Sequence, residues 1–218
     1  MTPRIDANAL SDAFDRIARR ALDNGARLEL FVYGGSALAM ASNFRFSTED
    51  VDIAPVPGGE PEWLTRERLA IAKQNEWPDD WLNDAVAFHL SKVATPNADH
   101  VILGDYPRGP GPYGLSVYIP TAEYLLALKL KALRILDPTK GATEAADIRN
   151  LSKVVGAETI DQKIAVLRRH FPVSASSPEK LRFLIKHLES LGVAHHAPEY
   201  PRTGPTSDSG RKDDGRSF

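Results

Sequence analysis

Phe31-Val-Tyr-Gly-Gly-Ser-Ala-Leu-Ala-Met40, followed by Arg45-Phe-Ser-Thr-Glu-Asp-Val-Asp-Ile53, is the stretch whose reading decides the fold. The apolar run Leu30-Phe31-Val32 reads as a strand cut off by a diglycine. Ser36 is placed to cap a helix of small residues, Ala37, Leu38, Met40 and Ala41. A second strand then carries Asp50 and Asp52. Side chains alternate along a strand, so both aspartates share one face while Val51 and Ile53 point into a core. Two carboxylates held together repel unless a proton or cation lies between them. A hard divalent cation fits, because it takes oxygen ligands and keeps water sites for a phosphate.

Working outward, Leu10, Phe14, Ile17, Ala18, Ala21 and Leu22 predict a helix over 7–24, capped by Asp6 or Asn8 and closed by Gly25. Leu28 to Tyr33 is the first strand. The loop Pro55–Pro61 precedes two predicted helices, Glu62–Asn75 and Asp79 to about Leu90. His100–Leu103 and Leu115–Ile119 read as strands on either side of a loop rich in glycine and proline. Thr121 caps a leucine-rich helix over Ala122–Leu136, expected to be deeply buried. Helices over Thr143–Val155, Ile160–His170 and Pro178–Leu191 follow. From His195 apolar periodicity vanishes, which predicts an unstructured tail. The division is therefore an α/β core (1–119), a helical part completing the site (120–194) and the tail (195–218). The fold class is α/β in the broad α+β sense: a small mixed sheet, flanking helices and a helical C-terminal part.

Composition narrows the function class. The chain has 218 residues, 42% hydrophobic and 26% charged, with a net charge of −2. That suits an ordinary globular protein and gives no global electrostatic footprint for nucleic acid. RNA binding would need a local patch, and Arg168-Arg169-His170 with Lys180, Arg182 and Lys186 is the candidate. There are no cysteines, so thiolate metal sites are excluded. No apolar run reaches membrane-spanning length, and a cytoplasmic location is expected.

A strand, a glycine turn at a helix start and a D-x-D form one device. The glycines let backbone N–H groups approach a phosphate chain, and the helix N-terminus adds its positive end. A metal on the aspartates bridges to the same phosphates. No Walker lysine follows, and no third glycine completes a dinucleotide fingerprint. Far downstream, Lys129 lies in a leucine-rich run. It belongs either to a narrow exposed strip with Lys131 and Arg134, or to the inner face with a phosphate or carboxylate partner. Arg45 can steady a phosphate or pair with Asp52.

The string Gly34-Gly-Ser-Ala-Leu-Ala39 … Arg45-x-Ser-Thr-x-Asp50-Val-Asp52-Ile resembles the signature of the DNA polymerase β-like nucleotidyltransferase superfamily. Within it, the chain is similar to the minimal branch that holds the AbiEii-like toxins of type IV abortive-infection systems and the MenT-like toxins. Leu125-Leu-Ala-Leu-Lys129-Leu-Lys-Ala-Leu-Arg134 resembles the branch's buried-lysine helix. Glu144-Ala-Ala-Asp147-Ile-Arg-Asn-Leu151 resembles its Asp-x-x-Asp-Ile-x-x-Leu motif, with glutamate in place of the first aspartate. The matching blocks run from Tyr33 to Leu151.

The resemblance implies that Asp50 and Asp52 hold Mg²⁺ (or Mn²⁺), that Gly34, Gly35 and Ser36 cradle an NTP's phosphates, and that Lys129 contacts the triphosphate. Asp147 would orient Lys129 or bind base or metal. The implied acceptor is an RNA end, tRNA above all, and the implied setting a toxin with a cognate antitoxin or a phage-defence pair. The alternatives are an enzyme that transfers AMP to a partner protein and a catalytically silent nucleotide-binding module. In one respect the chain departs from the wider superfamily. A third carboxylate belongs on a later strand, but Leu115–Ile119 carries no acid, and Asp99 and Asp105 only flank the earlier strand.

Overall fold

Asp6 stops a two-residue strand and starts the first helix with one side chain, its carboxylate accepting the Ala9 N–H at 2.8 Å. The computed structural model describes residues 4–132, 134, 136–173, 178–190 and 197–201. The elements run β1 (Ile5–Asp6), α1 (Ala7–Asp23), β2 (Leu28–Phe31), α2 (Gly34–Ala41), β3 (Ser47–Thr48), β4 (Val51–Asp52) and α3 (Glu62–Asn75). Then come β5 (Leu82–Asn83), a 3-10 turn (Ala85–His89), α4 (Pro96–Asp99), β6 (His100–Tyr106) and β7 (Leu115–Pro120). Helices α5 (Ala122–Ala132), α6 (Gly141–Val155), α7 (Ile160–His170) and α8 (Pro178–Ser190) follow. The class is mixed α+β, as expected.

The sheet is assembled around β2. On one side β2 pairs in parallel with β7, Leu30 opposite Val117, and β7 pairs antiparallel with β6 across a bulge between Ile102 and Gly104. On the other side the end of β2 meets the aspartate strand. Val32 bridges Ile53, and the Tyr33 N–H donates to the Asp52 carbonyl at 2.8 Å. Strand β4 in turn pairs in parallel with β5, Asp52 opposite Asn83. A separate antiparallel pair, β1 with β3, lies beside them.

Leu30, Val32, Val117 and Ile119 are fully buried beneath Phe14 and Ile17 of α1 and Leu125, Leu126 and Leu130 of α5. Each such aliphatic side chain stabilises the fold by about 1.5–3 kcal/mol relative to exposure. Helix α5 also packs against α6 and α7, which ties the helical part to the sheet.

Three expectations need correction. Residues 79–90 do not form one α-helix but give β5 and the 3-10 turn Ala85–His89. The carbonyls of Trp81 and Asn83 accept the N–H groups of Val51 and Ile53 at 2.6 and 2.8 Å, and Asn83 Oδ1 accepts the Ala85 N–H, so strand pairing with β4 and an Asx turn displace the helical pattern. The leucine-rich helix stops at Ala132. Asp137 turns the chain by accepting from the N–H groups of Thr139 and Lys140, and Leu136 is left 64% exposed. Leu133 lies outside the described residues.

The third correction concerns the tail. At 197–201 the chain returns to the core, where the Tyr200 hydroxyl donates to the Pro120 carbonyl at 2.8 Å and Asn43 bonds the backbone of Ala197 and Glu199. The other residues from 195 on lie outside the described ones. Tyr200→Ala is expected to cost about 3–5 kcal/mol, the range for truncating a large buried aromatic, against about 1 kcal/mol for Tyr200→Phe. Urea denaturation of the two variants measures the difference, and equal midpoints would show that the segment carries no stability.

Candidate functional site

The aspartate strand is clamped along both edges, by Tyr33 on one side and by Trp81 and Asn83 on the other. Val51 and Ile53 are buried as the alternation requires, and Asp50 and Asp52 both line a cleft of about 630 Å³. Thr48 Oγ1 donates to the Asp50 carbonyl at 2.9 Å and fixes the approach to the pair.

The diglycine earns its place through two close approaches. Gly34 has a φ of +64°, and a Cβ there would stand 2.8 Å from Asp52 Oδ2. A Cβ on Gly35 would stand 2.6 Å from Arg45 Nη2 and 2.9 Å from Thr48 Oγ1. The carboxylate and the guanidinium therefore lie against the first turn of α2, where the N–H groups of Gly34, Gly35 and Ser36 have no acceptor within the helix. Gly34→Ala combines left-handed strain, about 1–2 kcal/mol for a residue with a Cβ, with a collision on Asp52. Thermal melts should show lower stability than Gly25→Ala, where φ is also positive but nothing stands within 4 Å. Equal melting shifts would remove the role assigned to the Asp52 contact.

Ser36 departs from its expected place. It sits inside the helix rather than at its cap, is 1% exposed, and its hydroxyl donates to the Tyr33 carbonyl at 2.7 Å. Its side chain does not line the cleft, so only its backbone N–H stands at the helix start.

Burial, reinforced by the Asp50 charge, pushes the Asp52 carboxyl up from 3.8 to about 6, while Arg134, Lys129 and Lys140 pull the other way. A crowded pair of hard oxygen donors whose negative charge is only partly offset fits a divalent cation such as Mg²⁺. Among the described residues no group of three His, Cys, Asp or Glu side chains gathers. A cation on this pair would therefore complete its shell with water or ligand oxygens.

Lys129 belongs to the inner face, not to an exposed strip. It is 6% exposed, whereas Lys131 and Arg134 are exposed. Its ammonium donates to Glu144 Oε1 and to Asp147 Oδ2, each at 2.9 Å. Asp147, 2% exposed, also accepts from Arg45 Nη1 at 2.6 Å. Arg45 thus takes a partner other than Asp52, and its Nε donates to the Ser47 carbonyl. Asp147 does not line the cleft but holds Lys129 and Arg45, which do. Two of the three ammonium protons of Lys129 are engaged by carboxylates, leaving one for the cleft.

Other lining residues were not singled out as site residues from the sequence: Arg4, Asn83, His89, Arg134, Lys140 and Glu144. Glu144 was quoted only as part of a motif. Arg134 and Lys140 flank a proline turn that has no periodicity to place them. Within the basic stretch on the C-terminal helices, Arg169 pairs with Glu123 and Arg182 with Asp161, His170 is buried, and Arg168 and Lys186 are exposed. Asp105 does not flank the earlier strand but lies within β6 opposite Ser116, whose hydroxyl donates to it, and Asp99 accepts from the Thr95 N–H; neither lines the cleft. The strand position beside Asp52 is filled by Asn83, an amide already bonded within its own turn. Compared with protein-family models, curated proteins and solved structures, the chain gives no match.

Proposed function

We propose that this chain is a Mg²⁺-dependent nucleotidyltransferase that moves the NMP of an NTP to an RNA end, tRNA first among them, as the toxin of a toxin–antitoxin or phage-defence pair. The observation that carries the reading is the placement of Asp52 against the first turn of α2, in one cleft with Asp50 and Lys129. Carboxylates beside a helix N-terminus make a site for a cation and a phosphate together.

The acceptor hydroxyl oxygen bonds to the α-phosphorus, its proton passing to water, and the bond to pyrophosphate breaks. When bound, Mg²⁺ supplies neutralisation of the phosphate oxygens. The N–H groups of Gly34, Gly35 and Ser36 hold the phosphate chain, and Lys129 faces the charge that grows on the leaving pyrophosphate. Asp147 keeps Lys129 in place. Arg4, Arg134 and Lys140, all exposed on the cleft lining, meet the RNA backbone.

Incubation with α-labelled NTPs, Mg²⁺, total tRNA and a cognate partner protein tests the proposal. Label on RNA supports it, and label on the partner shifts the acceptor to protein. Absence of label on both, with a cellular phenotype untouched by Asp50→Ala, leaves at most a nucleotide-binding module.

A further inference from the structure

Phe46 is 73% exposed yet lines the same cleft as Asp50, Asp52 and Lys129. Single exposed apolar side chains are common on protein surfaces, and what sets Phe46 apart is its place on the wall of a cleft lined by charged groups. Its backbone is held on both sides. The Arg45 N–H donates to Ser42 Oγ at 3.2 Å and the Arg45 guanidinium is fixed to Asp147, while Ser47 pairs with Asp6 in the β1–β3 ladder. The ring is thus presented from a fixed support, with inward-turned Arg45 and outward-turned Phe46 as consecutive residues.

We infer that Phe46 is the platform on which the nucleobase of the bound NTP stacks, so that the nucleotide spans the cleft from the aspartates to this ring. The inference rests on the nucleotide-binding reading of the cleft. A flat apolar ring fits the face of any base, because every base has a π-surface and stacking needs no hydrogen-bond pattern. Phe46 therefore supplies affinity shared across NTPs, with the larger purines gaining most. It acts on the base, while the aspartates and Lys129 act on the triphosphate.

Equilibrium binding of ATP and of inorganic tripolyphosphate in Mg²⁺, to the full chain and its Phe46→Ala and Phe46→Trp variants, separates these contributions. Phe46→Ala should weaken ATP about tenfold, the loss expected for one stacked base, and leave tripolyphosphate unchanged. Phe46→Trp should restore ATP binding, and a fluorescence change on adding ATP but not tripolyphosphate would report the stacked indole. Equal ATP affinity in the wild type and Phe46→Ala overturns the platform while keeping the nucleotide site. Equal weakening of ATP and tripolyphosphate overturns it too, since the ring would then shape the phosphate end. A wild-type chain that binds neither ligand overturns the nucleotide site and the platform with it.

Discussion

On the proposed function, Asp50→Ala and Asp52→Ala are each expected to lower nucleotidyl transfer by about a thousandfold or more, because the pair would hold the charge-neutralising cation at the reacting phosphate. Circular dichroism of both variants should match the wild type, since each side chain faces the cleft while Val51 and Ile53 hold the strand in the core. A stability measurement sharpens the test. Burial beside Asp50 raises the Asp52 carboxyl to about 6 in the folded chain. Between pH 4 and 6 the folded state therefore binds its proton more tightly than the unfolded state, and stability falls as pH rises through that window. Above it the cost of the buried charge is fully present. In EDTA at pH 7.5, Asp52→Asn should be more stable than the wild type by up to about 2–3 kcal/mol, and the gap should close toward pH 4. Mg²⁺ should raise the melting temperature of the wild type and not that of the variant. A less stable Asn variant in EDTA would mean that the carboxylates are not crowded, and the cation reading would lose its basis.

The aspartate pair was legible because its signals are local. Alternation on a strand, a diglycine and a small-residue helix all lie within 25 residues, and the structure brings Asp50, just ahead of β4, and Asp52 within it to one cleft. The helices at 62–75 and 160–170 were equally readable from periodicity and their stop signals. What escaped depends on distant partners. Nothing near Arg45 announces that its guanidinium goes to Asp147, 102 residues away. Trp81-Leu82-Asn83 looks helical until Val51 and Ile53 supply N–H groups for its carbonyls. Ser36 has the right residue type for a cap, but the helix starts two residues earlier and buries it. Tyr200 stands in a polar stretch, and the carbonyl of Pro120, 80 residues away, gives its hydroxyl a buried partner. Short-range chemistry was readable, and the resemblance implied that the helical part with Lys129 and Asp147 completes the site; the Arg45 bond to Asp147 and the pairing of Asp52 with Asn83 were not.

Closure of the site by the helical part can be measured, because Asp147 is the carboxylate on which the two halves meet. Asp147→Ala is expected to destabilise the fold by about 3–5 kcal/mol, since it leaves the Arg45 and Lys129 side chains, 17% and 7% exposed, with Glu144 as the remaining acid of the network. For a chain of this size the melting temperature should fall by roughly 10–15 °C. Lys129→Met should cost less, because Asp147 keeps the Arg45 bond and a methionine fills much of the lysine's volume. On the proposed function its activity should still fall about a hundredfold, because the charge that would face the pyrophosphate is gone. The double variant Lys129→Met/Asp147→Ala should be more stable than the sum of the single effects predicts, by about 1–3 kcal/mol, as contacting charges give when removed together. Strict additivity in that cycle, or an Asp147→Ala protein that melts with the wild type, would show that the two cations find other partners. Asp147 would then lose its place as the residue that positions Lys129 over the cleft.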